Sequence, residues 1–170
     1  RFRNIALLLV SLLLLAGILQ GSLKTILLFG WLLIVLSFLV WASASIASGV
    51  YVDALICNRK KKNMIALSFD DGPNEATPQI LDMLQEHQAK ASFFIIGKKI
   101  ATNKEVVLRM IAEGHTVGHH SWSHSPGFPL KSSKEIRKEI VCAQNTLEVL
   151  SGQKHSWFRP PYGVTNPMIA

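Results

Sequence analysis

Two long uncharged stretches open the chain. Residues 4–23 contain no charged side chain, and a second such stretch of 28 residues runs over 25–52. Because a helix needs about 20 apolar residues to cross the hydrocarbon core of a bilayer, the pattern predicts transmembrane helices at about 4–23 and 26–48. Residues 1–56 would then form a multi-pass region in the cell membrane, with the lipid bilayer as a partner. A signal peptide cleaved at 42–44 is the competing interpretation, but its apolar region would span only about 7–15 residues.

From residue 64 onward, short apolar runs alternate with segments that repeat at helical spacing. The run over 64–69 predicts a buried strand, and further strands are predicted over 91–96, over 115–118 and from Trp157. Such alternation is typical of a parallel sheet covered by helices. The sequence therefore predicts an α/β domain over 64–170, and both a barrel and an open sheet fit this order.

Capping patterns mark the helices between these strands. A capping side chain before a proline, or Ser/Thr followed three residues later by Glu, predicts a helix start. The starts are Thr77 before Pro78, Thr102 with Glu105, and Ser132 with Glu135. Gly114 and Gly152 end the second and third of these helices.

Charge is concentrated at the border between the two regions. Arg59, Lys60, Lys61 and Lys62 are consecutive, and basic residues collect beside membrane spans. They predict a juxtamembrane linker over 57–63, and they make the net charge of +7 a membrane signal, so nucleic acid is not expected as a partner. No feature indicates a protein partner.

The two cysteines, Cys57 and Cys142, lie far apart and in different kinds of segment. Neither belongs to a C-x-x-C pair, so the sequence predicts neither a disulfide framework nor a zinc knuckle.

Three polar motifs follow predicted strands, where active sites gather in parallel α/β folds. The first contains Asp70 and Asp71 before Gly72 and Pro73. Adjacent carboxylates at a strand end point in different directions, so one can bind a cation while the other stays free as a base. A simple turn is the competing interpretation, because Asp, Gly and Pro are turn residues.

The second motif holds four of the six histidines within ten residues. His115 and His119, like His120 and His124, are spaced i, i+4, which brings imidazoles together where the local turn is helical. Imidazole suits zinc and other first-row metals, and a carboxylate commonly completes such a site. The cluster therefore predicts a metal site.

The third motif is Arg159-Pro160-Pro161-Tyr162-Gly163. Paired prolines fix the backbone between the Arg159 side chain and the Tyr162 amide. Taken alone, the motif is equally typical of a rigid loop after a strand.

Together, the three motifs resemble those of the polysaccharide deacetylase family, whose shared unit is the NodB homology domain. The family's Phe-Asp-Asp-Gly-Pro is matched at 69–73, its His-Ser/Thr-x-x-His at 120–124, and its Arg-x-Pro-Tyr/Phe at 159–162. The resemblance implies a distorted (β/α) barrel, here incomplete and preceded by the two membrane helices. It also implies metal-dependent hydrolysis of acetyl groups from an amino-sugar polymer or glycan, with the acetylated carbohydrate as substrate.

The resemblance assigns a role to each motif residue. Asp71, His120 and His124 would bind a divalent metal ion, with zinc expected. Asp70 would act as general base on the attacking water, and Arg159 would orient Asp70. The Tyr162 amide would hold the developing oxyanion.

Two departures from the family pattern affect these assignments. His119 stands where the family often has Asn, so a shifted ligand set of His115 and His119 stays open. The family's later motifs, including a Leu-x-His that supplies the general acid, have no match before Ala170. The resemblance covers about 63–167, whereas a full barrel takes about 250 residues. We therefore expect a fragment that is inactive alone.

The membrane side of the domain stays open. The positive-inside rule favours the cytoplasm for both ends of the hairpin and for the domain, whereas enzymes that trim wall polysaccharide face outward. Two other functions also compete with hydrolysis. One is a catalytically inactive, membrane-tethered carbohydrate-binding protein, which would not need the base Asp70. The other is a membrane interaction protein that stores or senses metal, which gives the Arg159 motif no role.

Overall fold

The computed structural model of the chain describes residues 7, 10, 11, 14, 17, 21–58, 60 and 63–170. The chain divides into two compact units. One holds the described residues up to 56 together with 164–168 and 170, and the other holds those from 57 to 163 together with 169.

The first unit is built around one long apolar helix, α1 (Gly21–Ala44). Its segment Lys24–Ala44 is the one helix among the described residues that is long and apolar enough to cross a membrane, and a signal sequence would satisfy the same criteria. The helix ends at Ala44, four residues before the end of the predicted span 26–48, and a short 3-10 turn over Ile46–Ser48 and a left-handed Gly49 follow it. The predicted span 4–23 lies largely outside the described residues.

A parallel sheet forms the centre of the second unit. It contains β1 (Leu67–Gly72), β2 (Ala91–Ile95) and β3 (Thr116–His119) in the order β1-β2-β3. The predicted fourth strand is reduced to a single parallel bridge between His119 and Phe158. The parallel α/β architecture predicted from the alternation is confirmed. Consecutive parallel strands are also the order in which a (β/α) barrel is built, but closure of a barrel stays a prediction.

Strand β1 differs from the prediction of a buried strand over 64–69. It begins at Leu67 and continues through the two carboxylates to Gly72, and most of its residues are exposed. β1 is an edge strand, because it pairs only with β2 among the described strands. Its contribution to the core is the half-buried Phe69, whose ring stacks on Phe93 at 5.2 Å between centroids.

Four helices accompany the sheet: α2 (Thr77–Glu86), α3 (Gly97–Ile100), α4 (Lys104–Ala112) and α5 (Ser133–Ser151). The apolar faces of α2, α4 and α5 share one core with β2 and β3. Each fully buried Leu, Ile or Phe side chain contributes about 1.5–3 kcal/mol through the hydrophobic effect. The central core residues are Leu81, Leu84, Phe93, Ile95, Val107, Met110, Val117 and Leu147.

The capping box predicted for the longest of these helices is confirmed. The Ser132 amide donates to the Glu135 carboxylate at 2.9 Å, and the Glu135 amide donates to the Ser132 hydroxyl at 3.4 Å. Gly152 ends α5 in the left-handed conformation, with φ of 68°, which glycine adopts without a steric penalty.

The other two predicted caps are wrong, because both threonines bond to the preceding turn instead. The Thr102 hydroxyl donates to the Lys99 carbonyl at the end of α3, and Asn103 occupies the N-cap position of α4. Likewise, the Thr77 hydroxyl pairs with Asn74 ahead of α2. The short helix α3, which the sequence pattern did not predict, supplies the carbonyl that Thr102 satisfies.

Candidate metal centre and active site

The two adjacent carboxylates diverge because β1 carries an irregularity between them. The pairing with β2 shifts register between Asp70 and Gly72, and Asp71 has a φ of 64°, a conformation uncommon outside glycine. The Gly72 carbonyl accepts a hydrogen bond from the Ile96 amide at 2.9 Å, which holds the strand end against β2. Asp70 and Asp71 therefore meet different partners.

Asp71 lies beside two histidines from the loop after β3. Its Oδ1 is 3.7 Å from His120 Nε2 and 3.2 Å from His124 Nε2. One ligand atom from each of the three residues lies within 4.8 Å of the others. Two ligands about 2.1 Å from one zinc ion can stand up to about 4 Å apart, so both carboxylate–imidazole distances suit a shared ion. Two imidazoles and a carboxylate also form a donor set that fits zinc or a similar divalent metal.

His120 is held in an orientation that leaves Nε2 free for this group. Its Nδ1 lies 2.6 Å from the Arg159 carbonyl, so Nδ1–H donates and Nε2 keeps its lone pair. A hydrogen bond of this kind fixes the tautomer of metal-binding histidines. Burial also lowers the pKa of His120, which favours the neutral imidazole that metals bind.

Helix α3 supports the histidine loop, the segment 120–124 that carries both histidines. The amides of Gly97 and Lys98 donate to the carbonyls of Ser121 and Trp122, both at 3.0 Å. Residue 97 must be glycine for this approach, because a Cβ there would lie 2.6 Å from the Trp122 ring and 2.9 Å from Ala143 Cβ. The start of α3 therefore fixes the position of the histidine loop.

Asp70 forms an ion pair with Arg159 from the third motif. Arg159 Nη1 is 2.6 Å from Asp70 Oδ1 and also donates to the Ser68 hydroxyl at 2.6 Å. The guanidinium lies over the Phe94 ring, 3.9 Å from its centroid, a cation–π geometry. Because the Arg159 amide also bonds to the His119 carbonyl at 3.1 Å, the arginine links the ends of all three strands.

Tyr162 lies next to the histidine pair. Its backbone has a φ of 61°, and the preceding Pro160 and Pro161 are buried. Its ring centroid is 4.8 Å from that of His124. The rigid Pro-Pro segment therefore places the Tyr162 ring beside the same group.

Residues 58–170 match the sequence profile of the family described as Polysaccharide deacetylase. The chain belongs to the polysaccharide deacetylase family. It is 45% identical over 106 residues to the peptidoglycan-N-acetylmuramic acid deacetylase PdaC of Bacillus subtilis, covering 62% of this chain and 22% of that protein. It is 40% identical over 112 residues to the peptidoglycan-N-acetylglucosamine deacetylase PgdA of Listeria monocytogenes, covering 65% and 24%.

Solved members of the polysaccharide deacetylase family share the fold. PdaC from Bacillus subtilis superposes with a TM-score of 0.58 at 45% identity, covering 61% of this chain and 52% of that one. Wild-type BA3943 from Bacillus anthracis, described as a CE4 family pseudoenzyme, superposes with a TM-score of 0.58 at 32% identity, covering 64% and 38%. This chain thus spans less than a quarter of the two curated relatives and about half of the solved PdaC chain.

The alternative ligand pair is not assembled in this deacetylase-family chain. Among the described residues, the group that can share one ion contains neither His115 nor His119. The buried His115 accepts a hydrogen bond from the Ala91 amide at 3.3 Å, at the opposite end of the sheet. His119 stacks on Phe158 with centroids 5.0 Å apart, and burial lowers its pKa to about 4.

Two residues that contact this site were missed by sequence reasoning. Ser68 shares Arg159 Nη1 with Asp70, and Lys99 Nζ donates to the Asp71 carbonyl at 2.7 Å. A signal existed for Lys99, because it follows β2 by a few residues and the ends of neighbouring parallel strands meet at one edge of a sheet. Ser68 lies two residues before Asp70, so the two side chains share one face of the strand.

Proposed function

We propose that this chain is the metal-binding part of a hydrolase that removes acetyl groups from an amino-sugar polymer, with peptidoglycan as the expected substrate class. The observation that carries the proposal is the Asp70–Arg159 ion pair beside the Asp71, His120 and His124 group. Metal-assisted hydrolysis of an amide requires a base next to a metal site. The names of PdaC and PgdA support peptidoglycan as the substrate class.

In this proposal, Asp71, His120 and His124 hold a divalent metal ion, for which zinc is the expected element. When bound, the metal supplies Lewis-acid chemistry at the acetyl carbonyl. Asp70 accepts the proton of the attacking water. The bond from Arg159 Nη1 at 2.6 Å holds the Asp70 carboxylate in one rotamer, so the base is already oriented before substrate arrives.

The Tyr162 amide is the proposed oxyanion donor. A backbone N–H held in place by a rigid segment stabilises developing negative charge without reorganising. The left-handed φ of 61° at Tyr162 and the buried prolines before it support this role. Backbone held in a sparsely populated conformation is a recurring feature of active sites.

The apolar N-terminal region is proposed as a membrane anchor. Only 6% of the 18-residue window that defines the span Lys24–Ala44 is buried inside the protein. The apolar side chains of this helix would therefore face lipid in a membrane. A helix can enter lipid independently of the rest of the chain because it satisfies its own backbone hydrogen bonds. A multi-pass arrangement, with a further span at about 4–23 and a linker over 57–63, is part of this proposal.

The test is the substitution Asp70→Asn. It removes the base while keeping shape, so turnover should fall by roughly 10²–10⁴, the usual contribution of general acid–base catalysis. Zinc binding should persist, because Asp70 is not part of the proposed ligand group. Acetate release from acetylated chitooligosaccharide, measured in a protein that also carries the family's later motifs, and zinc content are the two measurements, with Asp82→Asn on the exposed face of α2 as the matched control.

Carbohydrate binding without catalysis is the second candidate function. BA3943, described as a pseudoenzyme, gives this alternative a specific basis among the relatives. The same experiment separates the two functions. A protein that carries the family's later motifs, binds acetylated chitooligosaccharide equally well with Asp or Asn at position 70, and releases no acetate in either form would be a binding protein.

A further inference from the structure

Glu139 is a largely buried carboxylate that faces the histidine loop from helix α5. Its side chain is 12% exposed, and it accepts three hydrogen bonds. The Ser123 amide donates to Oε2 at 2.8 Å, the Ser123 hydroxyl donates to Oε1 at 2.7 Å, and Lys131 Nζ also donates to Oε1. Two of the three donors therefore belong to the residue directly before His124.

The loop that Glu139 contacts has a backbone that needs external support. Ser121 and His124 have φ values of 65° and 50°, and the left-handed region is uncommon for residues with a side chain. Residues in such conformations persist when surrounding contacts fix them. Within the loop, the His124 amide donates to the Ser121 hydroxyl at 3.1 Å, and Glu139 fixes Ser123 between these two positions.

We infer that Glu139 is a positioning residue that holds the Ser121–His124 turn in the conformation that directs His124 Nε2 toward Asp71. The inference rests on the proposed function, because it assumes that His124 and Asp71 bind a metal. Glu139 itself lies outside the group of residues that can share the ion. It acts through the Ser123 backbone and hydroxyl.

The chemistry of the contact requires a carboxylate. Burial acts to raise the pKa of Glu139, but the hydrogen bonds from Lys131 and Ser123 outweigh it and hold the pKa below its usual value. An ionised carboxylate offers acceptors only, which matches three donors. A Gln side chain of the same shape has one oxygen and one NH₂ group, so the Ser123 amide or the Lys131 ammonium would face another donor.

The experiment compares Glu139→Gln with Glu135→Gln, one turn away on the same helix. Glu135 caps α5 through Ser132 and, among the described residues, makes no hydrogen bond or ion pair with the histidine loop. Both substitutions destabilise α5, so thermal stability of the metal-free protein falls in both. Only Glu139→Gln should weaken metal binding, by about 10-fold, the lower end of the range for residues that orient metal ligands.

The full chain in detergent is titrated with Co²⁺ and with Zn²⁺, and the visible absorption of the Co²⁺ form is recorded. We expect a changed Co²⁺ spectrum for Glu139→Gln and the wild-type spectrum for Glu135→Gln. Ser123→Ala serves as a second variant, because it removes one of the bonds and keeps the backbone contact. Its Co²⁺ affinity should fall between those of the wild type and Glu139→Gln.

Equal Co²⁺ affinity and spectra in the wild type and Glu139→Gln would overturn the inference while leaving the proposed metal site intact. Equal losses of affinity in Glu139→Gln and Glu135→Gln would also overturn it, because the effect would then come from weakening α5 as a whole. A wild-type chain that binds neither metal would overturn the proposed function and this inference with it.

Discussion

Both ends of the parallel sheet carry buried histidines, but their hydrogen bonds differ. Level with the start of β3, both ring nitrogens of His155 are used, Nδ1 with the Val117 carbonyl at 3.0 Å and Nε2 with the Ser151 hydroxyl at 2.9 Å. At the end of β3, His120 uses Nδ1 for a carbonyl and directs Nε2 to the Asp71 carboxylate. One histidine is saturated by the protein, and the other keeps a nitrogen for a ligand.

This difference shows how two buried imidazoles in one fold can have separate purposes. A buried polar group is normally satisfied by the protein, and a fully satisfied histidine stabilises the fold. His120 instead faces a carboxylate and a second imidazole, so three atoms that can bind a metal lie around one point. The carboxyl ends of parallel strands are where such arrangements occur, so the two ends of the sheet should respond differently to the same substitution.

The largest expected effect is on metal binding at the carboxyl end. His120→Ala or His124→Ala removes a proposed ligand, so zinc affinity should fall by more than the roughly 10–100-fold that substitutions in supporting residues cause. Zinc content after dialysis against a buffered metal concentration measures it.

His115→Ala is the matched control at the other end of the sheet. His115 bonds to the Ala91 amide, so its loss should reduce stability and leave the zinc content unchanged. Zinc that is lost from His115→Ala and retained in His120→Ala would contradict the assignment and favour the alternative ligand pair.

The sequence was sufficient to predict which residues converge, although not how. The histidine cluster and the carboxylates after a strand predicted a metal site, the family resemblance implied Asp71, His120 and His124 as its ligands, and the structure brings these three together. The alternation of short apolar runs with segments of helical spacing predicted the parallel sheet, and the capping pattern of Ser132 and Glu135 predicted the start of α5. These features depend on local sequence and on the general topology of parallel strands, both of which can be recognised in a single chain.

The features that sequence did not predict depend on tertiary contacts. The irregularity at Asp71 follows from pairing with β2, and nothing in the local pattern marks it. The link from the Arg159 carbonyl to His120 spans 39 residues. His119, left open as a ligand, is instead stacked on Phe158, and only the packing of the finished sheet decides that outcome.

The burial of His119 predicts that the stability of the metal-free protein depends on pH. Burial lowers its pKa to about 4 in the folded chain, against about 6.5 when unfolded, so the unfolded state binds more protons between these values. Stability is therefore present above pH 6.5 and is lost as the pH falls toward 4, by about 3 kcal/mol in total. Urea unfolding at several pH values, with EDTA present, measures the loss.

His119→Asn should flatten this part of the pH profile, since Asn does not titrate. The same substitution at the exposed His87 is the control. If the His119→Asn protein loses stability as steeply as the wild type between pH 6.5 and pH 4, the effect belongs to other groups.

The smallest expected effect is at the opposite end of the sheet and concerns stability alone. His155→Ala leaves the Val117 carbonyl without the imidazole donor in a region where Val117 is 4% exposed, and an unsatisfied buried group costs about 1–3 kcal/mol. Ser151→Ala removes only the second bond of the same imidazole and should cost less. Urea unfolding measures both losses of stability. Zinc affinity should stay within about 2-fold of the wild type, because a loss of 10-fold or more in affinity is typical only of residues that support the metal ligands. If His155→Ala weakens zinc binding as strongly as it lowers the free energy of unfolding, the two ends of the sheet are coupled and the separation argued above is wrong.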